Sequence, residues 1–446
     1  MTMRCVLSVM MFFLICSFLF PVRVHAAAYD TIQVSNPFLN KTPVAVPAFK
    51  ALTGTPAETD LGANARQVLE NGLAFTGYLK QVNPNAFLAD PSQTGIRMSE
   101  IDFRDWTGIG AELLITGGVE QKNGQVKLEL RLFDTFNTQM LKGKVYTGDP
   151  SQIRQMIHLF CAEVSHALTG KWGVFASKLA FVSTVDGNKE IFVSDFDGHN
   201  PTRITRSNSI SLSPAWSSDS RWLAYVSYAG GKPDIYIRDL ARDRVTVIDR
   251  DGMNITPAWM PGKETLAAAL SFSGNQEIYL LTRQGEMIKK VTSSWGINVS
   301  PQFSPDGGKL AFVSNRSGSP QVYIKDLGTG EVNRVTFQGG YNTSPAWSPD
   351  GKKLAYVGIE KNRIDIYLIQ LDRGPGMPVQ LTRGQGDNED PSWSPDGNLI
   401  VFTSTREGQG SALFMMTAAG TDQRRLMKMP GRQSQPRWSG PVKNGE

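Results

Sequence analysis

The sequence predicts a chain of two parts: an N-terminal α/β domain, then an all-β ring of six four-stranded blades shut by the last strand of the chain. Three observations carry that reading. A proline followed two positions later by an aromatic recurs at Pro214, Pro257, Pro301, Pro345, Pro391 and Pro436, at spacings of 43 to 46 residues. The first and last copies of the repeat are incomplete in complementary ways. Residues 27–170 show no such period and mix helical with strand-like patterns.

A fixed period of this length means that one supersecondary unit is stacked on itself. In the copy that begins at Pro345, "PAWS" is a short strand and "PDGKK" supplies a turn. A second strand, "LAYVG", and a third, "IDIYLIQL", follow, and "PVQLT" closes the unit. Prolines and glycines fall where tight turns need them, and the runs between them are β-branched, aromatic and alternating. Four-stranded units of this length, repeated six times, form a β-propeller. The aromatics Trp216, Trp259, Phe303, Trp347, Trp393 and Trp438 occupy one register and are expected to fill the layer between blades.

The ends of the repeat decide closure. "LAFVS" at Leu179 has no "PxWS" before it, and "PRWS" at Pro436 has no "LAFVS" after it. The strand around Trp438 is therefore expected to be the innermost strand of the blade whose other strands come from residues 178–206. That arrangement closes a six-bladed β-propeller and protects two sheet edges.

The chain opens with Arg4, the apolar run "VLSVMMFFLICSFLF" and the small residues of "VRVHAAAYD". This is the pattern of a secretory signal peptide over residues 1–26, cleaved after Ala26. An uncleaved anchor is the alternative, although the run is short for a spanning helix. A lipoprotein centred on Cys16 is the weaker alternative, since Ile15 before it is not small. Removal of the signal takes Cys5 and Cys16 and leaves Cys161, which excludes an intramolecular disulfide framework. Cys161 reads as a buried small residue on a helix. The formal charge falls from +5 to +3 with the loss of Arg4 and Arg23, too dilute for a nucleic-acid footprint.

Within residues 27–170, "TPVAVPAFK" reads as an edge strand interrupted by prolines. "DLGANARQVLENGLAFTGYLKQV" reads as a helix running into a glycine turn and a strand. A strand series from Trp106 to Tyr146 carries an Asn123-Gly124 hairpin. "DPSQIRQMIHLFCAEVSHALTG" is a helix with Asp149 or Ser151 as cap and Gly170 as stop. No Pro-, Gly- or Ser-rich linker precedes the ring at residue 171, so the two domains are expected to pack closely.

The search for catalytic chemistry is mostly negative. His158 and His166 lie eight apart on one helix, without the spacing of a zinc pair, and no metal is expected. No nucleophile elbow or phosphate-binding loop occurs. Asp306, Asp350 and Asp396 sit in "SPDG" turns, where Asp and Gly serve the backbone. No cofactor is called for. The remaining pattern is a set of loops before the motif prolines: "GMNITP", "GINVSP", "GYNTSP" and "GDNEDP" place Asn254, Asn298, Asn342 and Asn388 at one register. In propeller geometry these loops end at the rim of the central channel. A polar crown of asparagines around one mouth is expected there, unless each Asn bonds only its own turn.

With its signal, its α/β domain, the junction "LTGKWGVFASKLAFVS" and its "SPDG" and "LAFVS" blades, the chain resembles the TolB family, the periplasmic propellers of the Tol–Pal envelope system. Departures are Lys178-Leu-Ala-Phe-Val where the family has Arg-Ile-Ala-Tyr-Val, and "MPGK" in place of one "SPDG". The resemblance implies a non-enzymatic periplasmic adaptor that supports outer-membrane integrity and envelope constriction at cell division. It implies binding of the lipoprotein Pal at the channel mouth, through Met253, Asn254 and Thr256, and Asn298, Val299 and Ser300, with Asn342 and Asn388 completing the crown. It further implies binding of TolA by the segment 27–34, with Tyr29, Asp30, Thr31, Ile32, Gln33 and Val34. Other envelope proteins or colicins join the candidate partners. A carbohydrate-binding or structural propeller would use the same crown. A propeller-gated hydrolase would need a domain carrying Ser, Asp and His after the ring, and the sequence ends at Glu446.

Overall fold

The computed structural model describes residues 41–88, 94–185, 187–372 and 377–441. The signal peptide and the segment 27–34 expected from sequence lie outside these residues.

The first domain is one mixed sheet covered by helices. Its elements are β1 (Thr42–Ala45), β2 (Lys50–Ala51), α1 (Pro56–Leu73), β3 (Leu79–Gln81), α2 (Phe103–Thr107), β4 (Leu113–Lys122), β5 (Gln125–Asp134), β6 (Gln139–Gly148) and α3 (Ile153–Thr169). The strand order is β3-β1-β4-β5-β6, with β2 added to β4. β1 runs parallel to β3 and β4, while β4, β5 and β6 form an antiparallel meander. The turn between β4 and β5 is Asn123-Gly124, both residues at positive φ (52° and 79°), as the hairpin signal requires. Helix α1 starts at Pro56, earlier than the pattern from Asp60 suggests. The signal was Thr55-Pro56: the Thr55 Oγ1 accepts from the Glu58 N–H at 3.3 Å, and Pro56 fills the first helical position, where no N–H is needed. Helix α3 ends at Gly170 with φ 74°, and its Cys161 is fully buried. There the Sγ approaches Gly72 of α1 so closely that a Cβ at that glycine would sit 2.8 Å from it, which is why α1 carries no side chain at this crossing.

The second domain is a closed ring. The innermost strands of blades I to VI are Ser211–Trp216, Asn254–Trp259, Asn298–Phe303, Tyr341–Trp347, Asn388–Trp393 and Gln433–Trp438. Blades I to V each take four strands in chain order. Blade VI joins Gln433–Trp438 to Lys178–Ser183, Glu190–Asp195 and Thr202–Arg203. Trp438 pairs with Leu179, so the C-terminal strand closes the ring as the incomplete repeats required.

The motif aromatics lock neighbouring blades. The indole Nε1 of Trp259 donates to the Ala215 carbonyl at 3.2 Å, that of Trp347 to Gln302 at 3.2 Å, that of Trp393 to Ala346 at 3.1 Å, and that of Trp216 to Arg437 at 3.0 Å. Each bond runs from one innermost strand to the one before it in the ring. Phe303 has no donor, and among the described residues the Trp438 Nε1 is buried without a partner. The "SPDG" turns are equally regular. In each, the serine Oγ donates to the aspartate Oδ1 (2.5 to 2.6 Å) and accepts the N–H five residues on, at 2.9 Å. The glycines Gly307, Gly351 and Gly397 stand at φ 69° to 80°, the left-handed region the turn demands. These carboxylates serve the turn backbone.

The domains share one core. Leu179, Phe196, Leu413, Met415 and Trp438 of the ring belong to the same buried cluster as Leu73, Phe75, Ile157 and Phe160 of the first domain. Phe196 is boxed edge-on by Phe75, His158 and Phe175, at ring-centroid distances of 5.1, 4.8 and 5.3 Å. The Arg424 Nη2 donates to the Ala74 carbonyl at 2.8 Å, and Arg154 pairs with Asp197 across the same junction. Close packing of the domains follows, as the missing linker suggested.

Candidate functional site

One mouth of the channel is built from the loops that lead into the innermost strands and the hairpins that join second to third strands. The hairpins lie beside the loops because Tyr228 donates its N–H to the Ile210 carbonyl (2.9 Å) and Ser271 its N–H to Met253 (3.1 Å).

The asparagines expected to crown this mouth are not on its surface. Asn254, Asn298 and Asn388 have no accessible area and Asn342 only 2%. The crown is corrected to a set of buried staples. The Asn254 Nδ2 donates to Asp234 Oδ1 at 2.9 Å and to the Arg250 carbonyl at 2.6 Å. The Asn298 Nδ2 donates to Glu277, Asn342 to Gln321 and Asn388 to Asp365, at 2.9, 2.8 and 3.2 Å. In each case the acceptor lies at or near the start of the third strand of the preceding blade, and the asparagine also bonds the backbone of its own loop. A threonine completes the unit: Thr292, Thr336 and Thr382 donate their hydroxyls to Glu277, Gln321 and Asp365. Sequence held this signal too, in the polar residue near the start of five of the six third strands and, for four of them, the threonine fifteen to seventeen positions on. The periodic asparagine belongs with them as architecture, because a buried amide whose Nδ2 is bonded to the preceding blade and to its own loop is held by the fold; among the described residues the Asn254 Oδ1 alone of these amide oxygens is fully buried without a partner.

The other expected mouth residues divide. Met253 is exposed at the rim. Val299 is half-buried, and Thr256 and Ser300 line the channel below it. They belong to a ring of six left-handed residues, Ser213, Thr256, Ser300, Ser344, Asp390 and Gln435, with φ between 50° and 54°. Each sits at the bulge where the innermost strand slips register against the second. The bulge bends the strand and turns its residue toward the channel. Neighbouring members touch: Thr256 Oγ1 accepts the Ser300 N–H at 3.2 Å, and Gln435 Oε1 the Ser213 N–H at 2.7 Å.

What the mouth does present to solvent lies beside the staples. The residue just before each staple position is Ile210, Met253, Ile297, Tyr341, Asp387 and Arg432 in blades I to VI, and all six are exposed. The residue just after it is Leu212, Ile255, Val299, Thr343, Glu389 and Ser434. Four blades are therefore apolar at the rim and two are charged or polar. Tyr228, Phe272 and Trp295, the last 71% exposed, extend the apolar arc outward. Over the other arc, burial first and then Asp390 and Asp387 push the Glu389 carboxyl above the usual range. The apolar arc escapes sequence reading because its members share no residue type, only a register.

The profile of the TolB beta propeller domain matches residues 165–442, and that of the TolB amino-terminal domain residues 30–141. A Tol-Pal system protein TolB of Desulfosudis oleivorans is 52% identical over 193 residues, 43% of this chain and 44% of that protein. A TolB homolog of Chlorobium luteolum is 41% identical over 218 residues, 49% of each chain. The matched stretches thus span less than half the length of these relatives. The crystal structure of TolB from Acinetobacter baumannii superposes with a TM-score of 0.78 at 28% identity, covering 90% of this chain and 97% of that one. Both domains are matched in order, and the chain belongs to the TolB family.

Proposed function

We propose that the protein is a non-enzymatic periplasmic adaptor of the Tol–Pal system, holding the lipoprotein Pal at the asparagine end of its channel and TolA by the segment 27–34. The apolar arc of Ile210, Met253, Ile297 and Tyr341 carries this reading, since it is a rigidly mounted, solvent-exposed surface with the composition of an interface core. The charged arc at Asp387 and Arg432 would fix the orientation of the docked partner. Among the described residues no helix is long and apolar enough to cross a membrane.

The test is Met253→Asp combined with Ile297→Asp. Pal affinity, measured by calorimetry, should fall roughly thirtyfold or more, the loss of a hot-spot residue. An unchanged dissociation constant would move the interface off this mouth. For TolA, deletion of residues 27–34 should abolish binding while Pal binding persists. If Pal biases that segment, the effect is mutual, and each partner should change the other's affinity by the same factor, roughly 5- to 150-fold. Independent affinities would leave the segment a passive tether.

A further inference from the structure

At the position just after the motif proline, the six innermost strands carry Ala215, Ala258, Gln302, Ala346, Ser392 and Arg437. Five of these are small or neutral, and the sixth is a cation on the closing strand. The small residues leave room at the centre of the ring, and Arg437 extends into it. It forms part of the wall of two cavities stacked along the channel, of about 150 Å³ on the asparagine side and about 280 Å³ on the turn side, with Gln302 and Pro345 also common to both.

The guanidinium is poorly served by the protein. Its Nη1 donates to the Pro436 carbonyl at 2.8 Å and reaches the Asp390 carbonyl at 3.5 Å. Among the described residues Arg437 has no ion pair, and no other hydrogen bond of its side chain is formed. Among the described residues Asp390 is the one carboxylate in the wall of the smaller cavity, and its Oδ2 takes the Thr403 hydroxyl at 3.2 Å. Burial holds the Arg437 pKa below the usual arginine value, with Asp390 opposing. A guanidinium does not lose its proton in a protein, so the charge stays, and the half-buried side chain presents it to the channel. The Nε–H and the second amino group form a planar fork that matches a carboxylate.

We propose that the waist of the channel is a carboxylate-binding site, in which Arg437 chelates one small carboxylate, free or at the tip of an acidic side chain entering from a mouth. The free-anion binding does not depend on the adaptor role, so its failure and the failure of that role are separately visible.

The probe is sodium formate, titrated against sodium chloride at constant ionic strength into the full chain and its Arg437→Gln and Arg437→Lys variants. Wild type should be stabilised saturably by formate beyond chloride, with matching calorimetric binding. R437Q should lose the response, and R437K, which keeps the charge without the fork, should bind roughly tenfold more weakly. No response in wild type, or equal responses in wild type and R437Q, overturns the site. A readout that needs no variant follows the arginine Nε–H resonances of the wild-type protein. Formate must shift one that is protected from solvent exchange, and a spectrum unmoved through the titration overturns the proposal. Repeating the titration with the proposed lipoprotein partner bound separates the two sources. An unchanged formate dissociation constant assigns the site to a free anion, and one raised tenfold or more assigns it to an acidic side chain of the docked protein.

Discussion

The two ends of the propeller channel are built on the same six strands and behave differently. At the turn end the repeat is more uniform: serine, aspartate and glycine close the turns of blades III to V, and in four blades an indole reaches back to the previous strand. At the asparagine end the uniform part is buried and the exposed part is not uniform. Asn254, Asn298, Asn342 and Asn388 repeat because each ties its blade to the one before, whereas Ile210, Met253, Ile297, Tyr341, Asp387 and Arg432 differ. The comparison teaches that periodic residues in a closed ring record how blades join. Recognition is carried where the period breaks.

The largest expected effect tests the turn end. Deleting residues 434–446 removes the innermost strand of blade VI, and Trp438→Ala alone should cost about 3 to 5 kcal/mol by denaturant unfolding. A truncated chain that unfolds like the full one would contradict ring closure through this strand. The indole bonds sharpen the point. Trp393→Phe strands the Ala346 carbonyl, while Trp438→Phe loses no bond, so the first should be more destabilising by about 1 kcal/mol. Equal costs would mean that packing alone holds the aromatic layer.

The staples come next. Asn298→Ala leaves Glu277 without the buried donor at 2.9 Å and should cost about 1 to 3 kcal/mol, with Asn342→Ala similar at Gln321. If these variants melted like wild type and lost only partner binding, the asparagines would belong to the recognition surface after all.

The domain junction supplies a control away from both ends. Burial above all pushes the His158 imidazole down to about 4; Asp197 and Asp195 oppose this, and Arg154 and His199 add to it. Its folded pKa lies below the unfolded value of about 6.5, so the unfolded chain takes the proton first. The stability contribution is whole above pH 6.5 and declines as pH falls toward 4, by about 2 kcal/mol at pH 5. His158→Gln should flatten that slope, and a slope unchanged by the substitution would place the acid sensitivity elsewhere. The smallest stability effect belongs to the rim. Met253→Asp and Ile297→Asp, both exposed, should each shift unfolding by no more than about 0.5 kcal/mol. A larger loss would make the rim part of the fold and erase the contrast with the staples.

The sequence by itself determined the ring: its blade count, its four strands per blade and its closure by the strand at Trp438. Blade packing repeats the same contacts at a fixed interval, so the chain must repeat the residues that make them. The Asn123-Gly124 hairpin and the Gly170 stop were legible for a related reason, since positive φ restricts residue type locally. Helix α2 and the true start of α1 were not, because a five-residue helix has no usable period and a cap is a matter of two residues. Only the tertiary structure decided which side of the asparagine register faces water. Burial there depends on Asp234, Glu277, Gln321 and Asp365, about twenty residues away on the preceding blade, and no pattern within a single loop reveals them. The apolar arc and the lone guanidinium of Arg437 emerged for the same reason. Each is defined by residues far apart in the chain that the closed ring brings to one level.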